Sequence, residues 1–340
     1  MKAALLTAPY EIALREVDPP RINPDEVLIR VRYAGVCGSD VHAYKGTHPF
    51  RKPPVVGGHE LSGEIVEAGA AVKTLRPGDR VTVEPQTYCR ACGPCQRGQY
   101  NLCSGKRLMG TPAWPGAFGE YVAVPQDKVY RLPDGLSLED GALVEPLAVG
   151  AHAARMADVK LGDTVLVMGS GTIGLAVMAA LRAGGATKII ASDRVPFNLA
   201  KAREIGVHAA VNVATDDLGE TVKSLTGGEG VDTVVVAVGY PPLVDQALQL
   251  VRKRGRVVLL ALFDGPATFD TFQVVFREVN VVGSWVYDRR DFETTIELLA
   301  QGRIRGGAFI THRWPIERVR DALETVDKKT EDVVKIVLDF

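Results

Sequence analysis

The chain has 340 residues, with 40 Lys plus Arg against 41 Asp plus Glu and a formal charge of −1; no basic tract stands out to track a phosphate backbone, which argues against a nucleic-acid partner. A 46% hydrophobic content suffices for two substantial cores, while no apolar stretch is long and uniform enough to span a membrane. The 35 Gly and 20 Pro stand singly between periodic segments, so neither a low-complexity linker nor an internal repeat is expected.

The N-terminal MKAALLTAPYEIALREV alternates and turns like a strand pair rather than a hydrophobic leader, and a reducing, cytoplasmic setting is the expectation. Up to residues 146–147 the chain reads as short β segments broken by Gly, Pro and Asp: EVLIRVRYAGV, LSGEIVEAGA, DRVTVEP, AFGEYVAVP and KVYRLP. A β-barrel-like domain over 1–147 follows. From 148 to 285 the grammar changes to strand, helix, strand. TVLVMG, KIIASD, AAVNV, VDTVVVAVG, GRVVLLAL and NVVGSW alternate with helical segments such as TIGLAVMAALRAG and PFNLAKAREIG. The overall class is therefore α/β, with a doubly wound parallel sheet of six strands in the second domain. Beyond Trp285, two helical segments lead to the strand VVKIVLDF, and 286–340 is expected to return to the first domain because the sheet is already complete.

All five cysteines are placed for metal chemistry. Cys89, Cys92 and Cys95 form a CxxCxxC run, with Cys103 following in the same polar, Gly-containing loop. Four thiols so spaced match a closed tetrahedral structural zinc site, and an iron–sulfur cluster uses similar spacing. Four unrelated core cysteines would not crowd a polar loop. Cys37 stands alone in GVCGSDVH, His59 and Glu60 lie in VVGGHELSG, and Glu145 lies in GALVEPLAVG. Each has an ordinary structural explanation by itself. As a set beside a zinc loop they offer thiolate, imidazole and carboxylate, the donor types of an open zinc site.

The first strand–helix turn of the second domain carries Gly169-Ser170-Gly171-Thr172-Ile173-Gly174, with Asp193 closing the next strand. Preceded by a strand and opening a helix, this is a dinucleotide fingerprint in its required context. Gly169 permits the tight turn, Gly171 admits the pyrophosphate to the backbone, and Gly174 allows helix–strand packing. The amides at Thr172 and Ile173 open the helix toward the phosphates. Asp193 can accept from the adenosine ribose hydroxyls and repel a 2′-phosphate, so NAD is favoured over NADP. Arg194 could pair a 2′-phosphate, although an Arg beside the acid is more often a solvated neighbour.

GHE, GDRV, the four-cysteine loop, EPLAVG and GSGTIG together resemble the zinc-dependent medium-chain dehydrogenase/reductase superfamily over essentially the whole chain. The carboxylates at Glu60 and Glu145 resemble its polyol branch, which includes sorbitol, butanediol and threonine dehydrogenases. That resemblance implies a GroES-like N-terminal domain, a Rossmann NAD domain, two zinc ions per chain and a homotetramer paired through the edge strand NVVGSW. It implies Cys37 and His59 as catalytic zinc ligands, with Glu60 and Glu145 binding directly, through water or by exchange. Ser39 and His42 resemble the family's proton relay. Asn198 stands where the branch often has an Arg near the adenine ribose.

The activity so implied is oxidation of a secondary alcohol of a polyol, cyclic polyol or sugar to a ketone, with hydride transfer to NAD. L-threonine or a vicinal diol is the alternative substrate, and a zinc-stabilised NAD-binding sensor is the non-enzymatic alternative. Candidate pocket walls are Tyr44, Trp114, Phe118, Trp285 and Tyr287, each equally compatible with core packing. Sorbitol dehydrogenases generally carry a Tyr and an Arg where this chain has Ala43 and Val286, which leaves a roomier pocket for another small-molecule alcohol.

Overall fold

The computed structural model describes residues 1–186 and 188–340. The chain forms two compact units, Met1–Glu145 with Arg305–Phe340, and Pro146–Ile304. The return to the first unit thus comes at Arg305 rather than at residue 286. Helix Arg289–Ala300 is the cause: it buries Phe292, Thr295, Ile296 and Leu299, and Phe292 packs on Tyr287 of its own unit.

In the first unit the central strand is Glu26–Gly35, whose alternate residues Val27, Ile29 and Val31 are all 0% exposed. That period of two fixes which face meets the core. The strand pairs antiparallel with Glu60–Ala68 on one side and with the C-terminal Lys335–Asp339 on the other. Gly35 is opposite Glu60 and also opposite Val337. Antiparallel pairing therefore brings the end of the middle strand and the beginnings of both neighbours to one end of the sheet. Cys37 follows the middle strand there, while Glu60 and Lys335 open the two others.

In the second unit six parallel strands take the spatial order Ala209–Asn212, Lys188–Asp193, Thr164–Met168, Val231–Val236, Val251–Leu259, Asn280–Gly283. Counted along the chain this is 3-2-1-4-5-6, the doubly wound order expected. Every residue of Thr164–Met168 is buried, as a parallel strand covered on both faces requires. The order reverses beside this strand, and the glycine-rich turn leaves its carboxyl end. Among the described residues no helix is long and apolar enough to cross a membrane.

Candidate functional site

One ligand atom each from Cys37, His59 and Glu60 lies within 4.8 Å of the others. Cys37 is half-buried, whereas His59 and Glu60 are buried at 6% and 0% exposure. A thiol, an imidazole and a carboxylate at this separation are the mixed donor set of an open zinc site, so the residues present fit a catalytic zinc ion. Glu145, at the head of helix Val144–Ala157, stands outside this trio; its charge reaches the site by raising the pKa of Lys335.

Several residues invisible to sequence reasoning hold the trio in place. Asp40 is buried in the first turn of helix Gly38–Tyr44 and accepts from the backbone N–H of Cys37 at 3.0 Å and of Gly58 at 3.3 Å. Its Oδ1 also stands 3.3 Å from His59 Nδ1, an ion-pair distance. Burial and the Arg51 cation both press the His59 pKa down, but Asp40 outweighs them and holds it up at about 10. A metal on this ring must displace that proton, so uptake is coupled to proton release.

Ser39 Oγ lies 3.5 Å from His59 Nε2 and accepts from Arg51 Nη1 at 3.0 Å. His42 is exposed, and its Nδ1 faces Thr47 Oγ1 at 3.3 Å.

Glu60 meets a second cation. Lys335 Nζ donates to both Glu60 oxygens at 2.8 Å and to Val36 O at 3.1 Å, with Lys335 3% exposed. Burial lowers the Lys335 pKa, and the charges of Glu60, Cys37 and Glu145 outweigh it and raise it. Gly35 makes the contact possible: a Cβ there would stand 2.0 Å from Glu60 Oε2. The signal in the sequence was a lysine inside the β-branched run VVKIVL, since a charge in a buried strand needs a partner.

The sulfurs of Cys89, Cys92, Cys95 and Cys103 lie within 4.8 Å of one another, and none is in a disulfide. Backbone N–H groups of Ala91 and Cys92 lower the Cys89 pKa to about 6, while burial and the neighbouring thiols raise that of Cys95 to about 12. Four sulfur donors with inward-pointing amides fit a structural zinc ion.

In the second unit Gly169 has φ +99, and a Cβ on Gly174 would stand 1.9 Å from Gly169 O, so both positions require glycine. A Cβ on Gly171 would meet nothing within 4 Å. This open approach to the N-terminus of helix Thr172–Ala183 fits a dinucleotide pyrophosphate. Asp193 accepts from Ser170 N at 2.8 Å, Val195 N at 2.8 Å and Asn198 Nδ2 at 3.2 Å. Asn198 thus orients the acid, and Arg194 is exposed.

The aromatic candidates divide differently from the sequence expectation. Tyr44, Trp114 and Phe118 belong to the first unit's hydrophobic core, where Tyr44 Oη donates to Glu324 and Trp114 Nε1 donates to Ala123 O. Tyr287 is 0% exposed, and only Trp285 of the five is substantially exposed, at 43%. Burial of these four gives each ring the packing contacts from which a large aromatic gains most. Between Trp285 and Tyr287, Val286 has φ +53, a left-handed conformation that costs a β-branched residue about 1–3 kcal/mol.

Residues 23–134 match the alcohol dehydrogenase GroES-like domain, and residues 172–301 match the zinc-binding dehydrogenase family. The chain is 35% identical to sorbitol dehydrogenase of Bacillus subtilis, the match covering 99% of this chain and 97% of that protein. It is 37% identical to D-arabitol-phosphate dehydrogenase of Enterococcus avium, over 96% and 94% of the two chains. A zinc-binding dehydrogenase of Sinorhizobium meliloti 1021, solved bound to NADP, superposes with a TM-score of 0.93 at 33% identity, over 100% of this chain and 99% of that one. With its fold, its Cys37–His59–Glu60 and four-cysteine clusters and its dinucleotide turn on the same chain, this protein belongs to the zinc-type medium-chain alcohol dehydrogenases, in the polyol dehydrogenase branch.

Proposed function

We propose that the protein oxidises a secondary alcohol of a polyol, cyclic polyol or sugar to the ketone with NAD as hydride acceptor. Cys37, His59 and Glu60 would hold the catalytic zinc, and Cys89, Cys92, Cys95 and Cys103 the structural zinc. The observation that carries this is the convergence of thiol, imidazole and carboxylate within 4.8 Å, with the Ser39 hydroxyl 3.5 Å from the imidazole. When bound, zinc supplies Lewis-acid polarisation that makes a carbinol proton easier to lose, and NAD accepts the hydride. Asp40 sets the orientation of His59 from the ring's other side, and Lys335 balances the charge of Glu60. Ser39 accepts from Arg51, which leaves its own O–H to exchange with the carbinol proton. The contacts support Ser39 as the proton-handling group, and His42 would continue the relay toward solvent through the ribose of bound NAD.

Asp193 supports NAD because three donors already aim its carboxylate. Asp193→Ser is expected to raise the kcat/KM ratio of NADP over NAD by ~10–100-fold, the weight of one charge-assisted hydrogen bond plus the lost repulsion. Initial rates with each cofactor check this, and a preference for NADP in the unmodified protein would overturn it. Strand Asn280–Gly283 is an exposed sheet edge, which supports assembly as a homotetramer by edge pairing.

The test is NADH production by metal-replete protein against polyols, cyclic polyols, sugars, vicinal diols and threonine, beside a chelator-treated sample. Metal-dependent oxidation of a polyol or sugar is the expected result, with two zinc ions per chain. Silence on every alcohol together with a single zinc ion would replace the enzyme by a zinc-stabilised NAD-binding protein.

A further inference from the structure

Arg51 is a buried cation without an anion. It lies between helix Gly38–Tyr44 and strand Val55–Val56 and is 7% exposed. Nε and Nη2 donate to Met109 O at 3.4 and 3.3 Å, and Nη1 donates to Ser39 Oγ. Among the described residues, no carboxylate comes within the 4.0 Å of an ion pair. The acid whose charge it feels is Asp40, whose oxygens already serve Cys37, Gly58 and His59. A guanidinium removed from water without a counter-charge is costly, and its planar fork matches carboxylate and phosphate oxygens.

His48 sharpens the deficit. Its Nδ1 accepts from the backbone N–H of Phe50 at 3.1 Å and of Arg51 at 3.0 Å. The proton of the neutral ring must therefore sit on Nε2. Nε2 faces Arg51 Nη1 at 3.2 Å, so two N–H donors point at one another. Burial and Arg51 hold the His48 pKa down at about 4, so the ring is neutral at physiological pH. Two converging donors on a buried cation call for an acceptor oxygen carrying negative charge. The place where it is wanted adjoins Ser39, the hydroxyl beside His59, and so lies on the side of the site where the carbinol reacts.

Taking the zinc-site alcohol oxidation proposed above as the reaction, we propose that Arg51 and His48 Nε2–H bind an anionic group of the substrate. The preferred substrate class is then a hydroxy acid or a phosphorylated polyol, with its charge a few carbons at most from the oxidised carbinol, ahead of a neutral polyol. Carboxylate and phosphate offer the same acceptor chemistry, and the experiment separates them.

The measurement is kcat/KM for a pentitol, its terminal phosphate ester and the matching aldonate, for unmodified enzyme, Arg51→Gln and Arg51→Lys, with KM for NAD determined in each. The unmodified enzyme is expected to favour one anionic form over the pentitol by at least about tenfold, and the form favoured identifies phosphate or carboxylate. In Arg51→Gln that preference falls by ~10–100-fold, since hydrogen bonds to a charged group contribute about 1.5–3 kcal/mol. Arg51→Lys, which keeps the charge and loses the fork, falls between. A merely structural Arg51 would lower all three substrates equally, and a cofactor-binding Arg51 would raise the KM for NAD; either result overturns the proposal. Oxidation of the pentitol with no anionic preference also overturns it while leaving the alcohol dehydrogenase reading intact. If no alcohol is oxidised, that reading fails, and calorimetric titration with inorganic phosphate and with gluconate decides the anion site alone. Binding of either anion that is lost in Arg51→Gln supports the site, and absence of binding to the unmodified protein overturns it.

Discussion

Cys37→Ser is expected to lower turnover on the order of 10³-fold while leaving the fold and the four-cysteine cluster unchanged. The size follows from what a Lewis-acid metal contributes to a developing charge, several kcal/mol of barrier. The retained fold follows from the position of Cys37, half-buried beyond the end of strand Glu26–Gly35, where replacing sulfur by a hydroxyl opens no cavity in the core. Zinc analysis should fall from two ions per chain to one, with circular dichroism and the melting transition close to those of the unmodified protein. Cys37→Ser with two zinc ions and undiminished turnover would remove the assignment of the trio.

Lys335→Met is expected to destabilise the first unit by about 3–5 kcal/mol, the usual cost of stranding one member of a buried ion pair. Glu60, at 0% exposure, would lose the donor that meets both of its oxygens. The double variant Glu60→Gln/Lys335→Met should recover much of the loss, because no uncompensated charge remains. Urea unfolding midpoints of the single and double variants check both statements, and additive losses would show that the two side chains are not coupled. The pair also carries a pH signature. Because the Lys335 pKa is raised in the folded state, its contribution is complete at neutral pH. It is lost only in alkali, as the pH rises through the folded-state value.

What could be read from the sequence was whatever depends on spacing within one segment. The cysteine loop and the turn Gly169–Gly174 carry their geometry locally, and the six β-branched runs set the sheet order through their alternation with helices. What could not be read depends on sheet register. Lys335 reaches Glu60 only because both strands flank Glu26–Gly35, and nothing near residue 335 in the chain announces that neighbour. Asp40 and Arg51 are silent in the sequence for a similar reason: ordinary charged residues in a loop-like stretch show no sign of burial until the chain folds over them. The aromatic candidates are ambiguous in a different way. A large ring in a β segment satisfies a pocket and a core equally, and the packing of Tyr44, Trp114 and Phe118 in the first unit's core is set by contacts distant in the chain. The second unit's limit at Ile304 was set by side-chain packing of helix Arg289–Ala300, which helical periodicity alone does not assign to either unit.

Positions 35, 60 and 335 behave as a single unit of variation. The carboxylate crosses the space that a side chain at residue 35 would fill, and a methyl group there would collide with Glu60 Oε2 before any question of charge arose. A longer residue at 35 is compatible only with a short neutral residue at 60, and such a residue at 60 in turn leaves the ammonium at 335 unbalanced. Substitutions are therefore tolerated as matched sets and rejected one at a time. A site-by-site mutational scan would make three indispensable residues out of what is physically one contact.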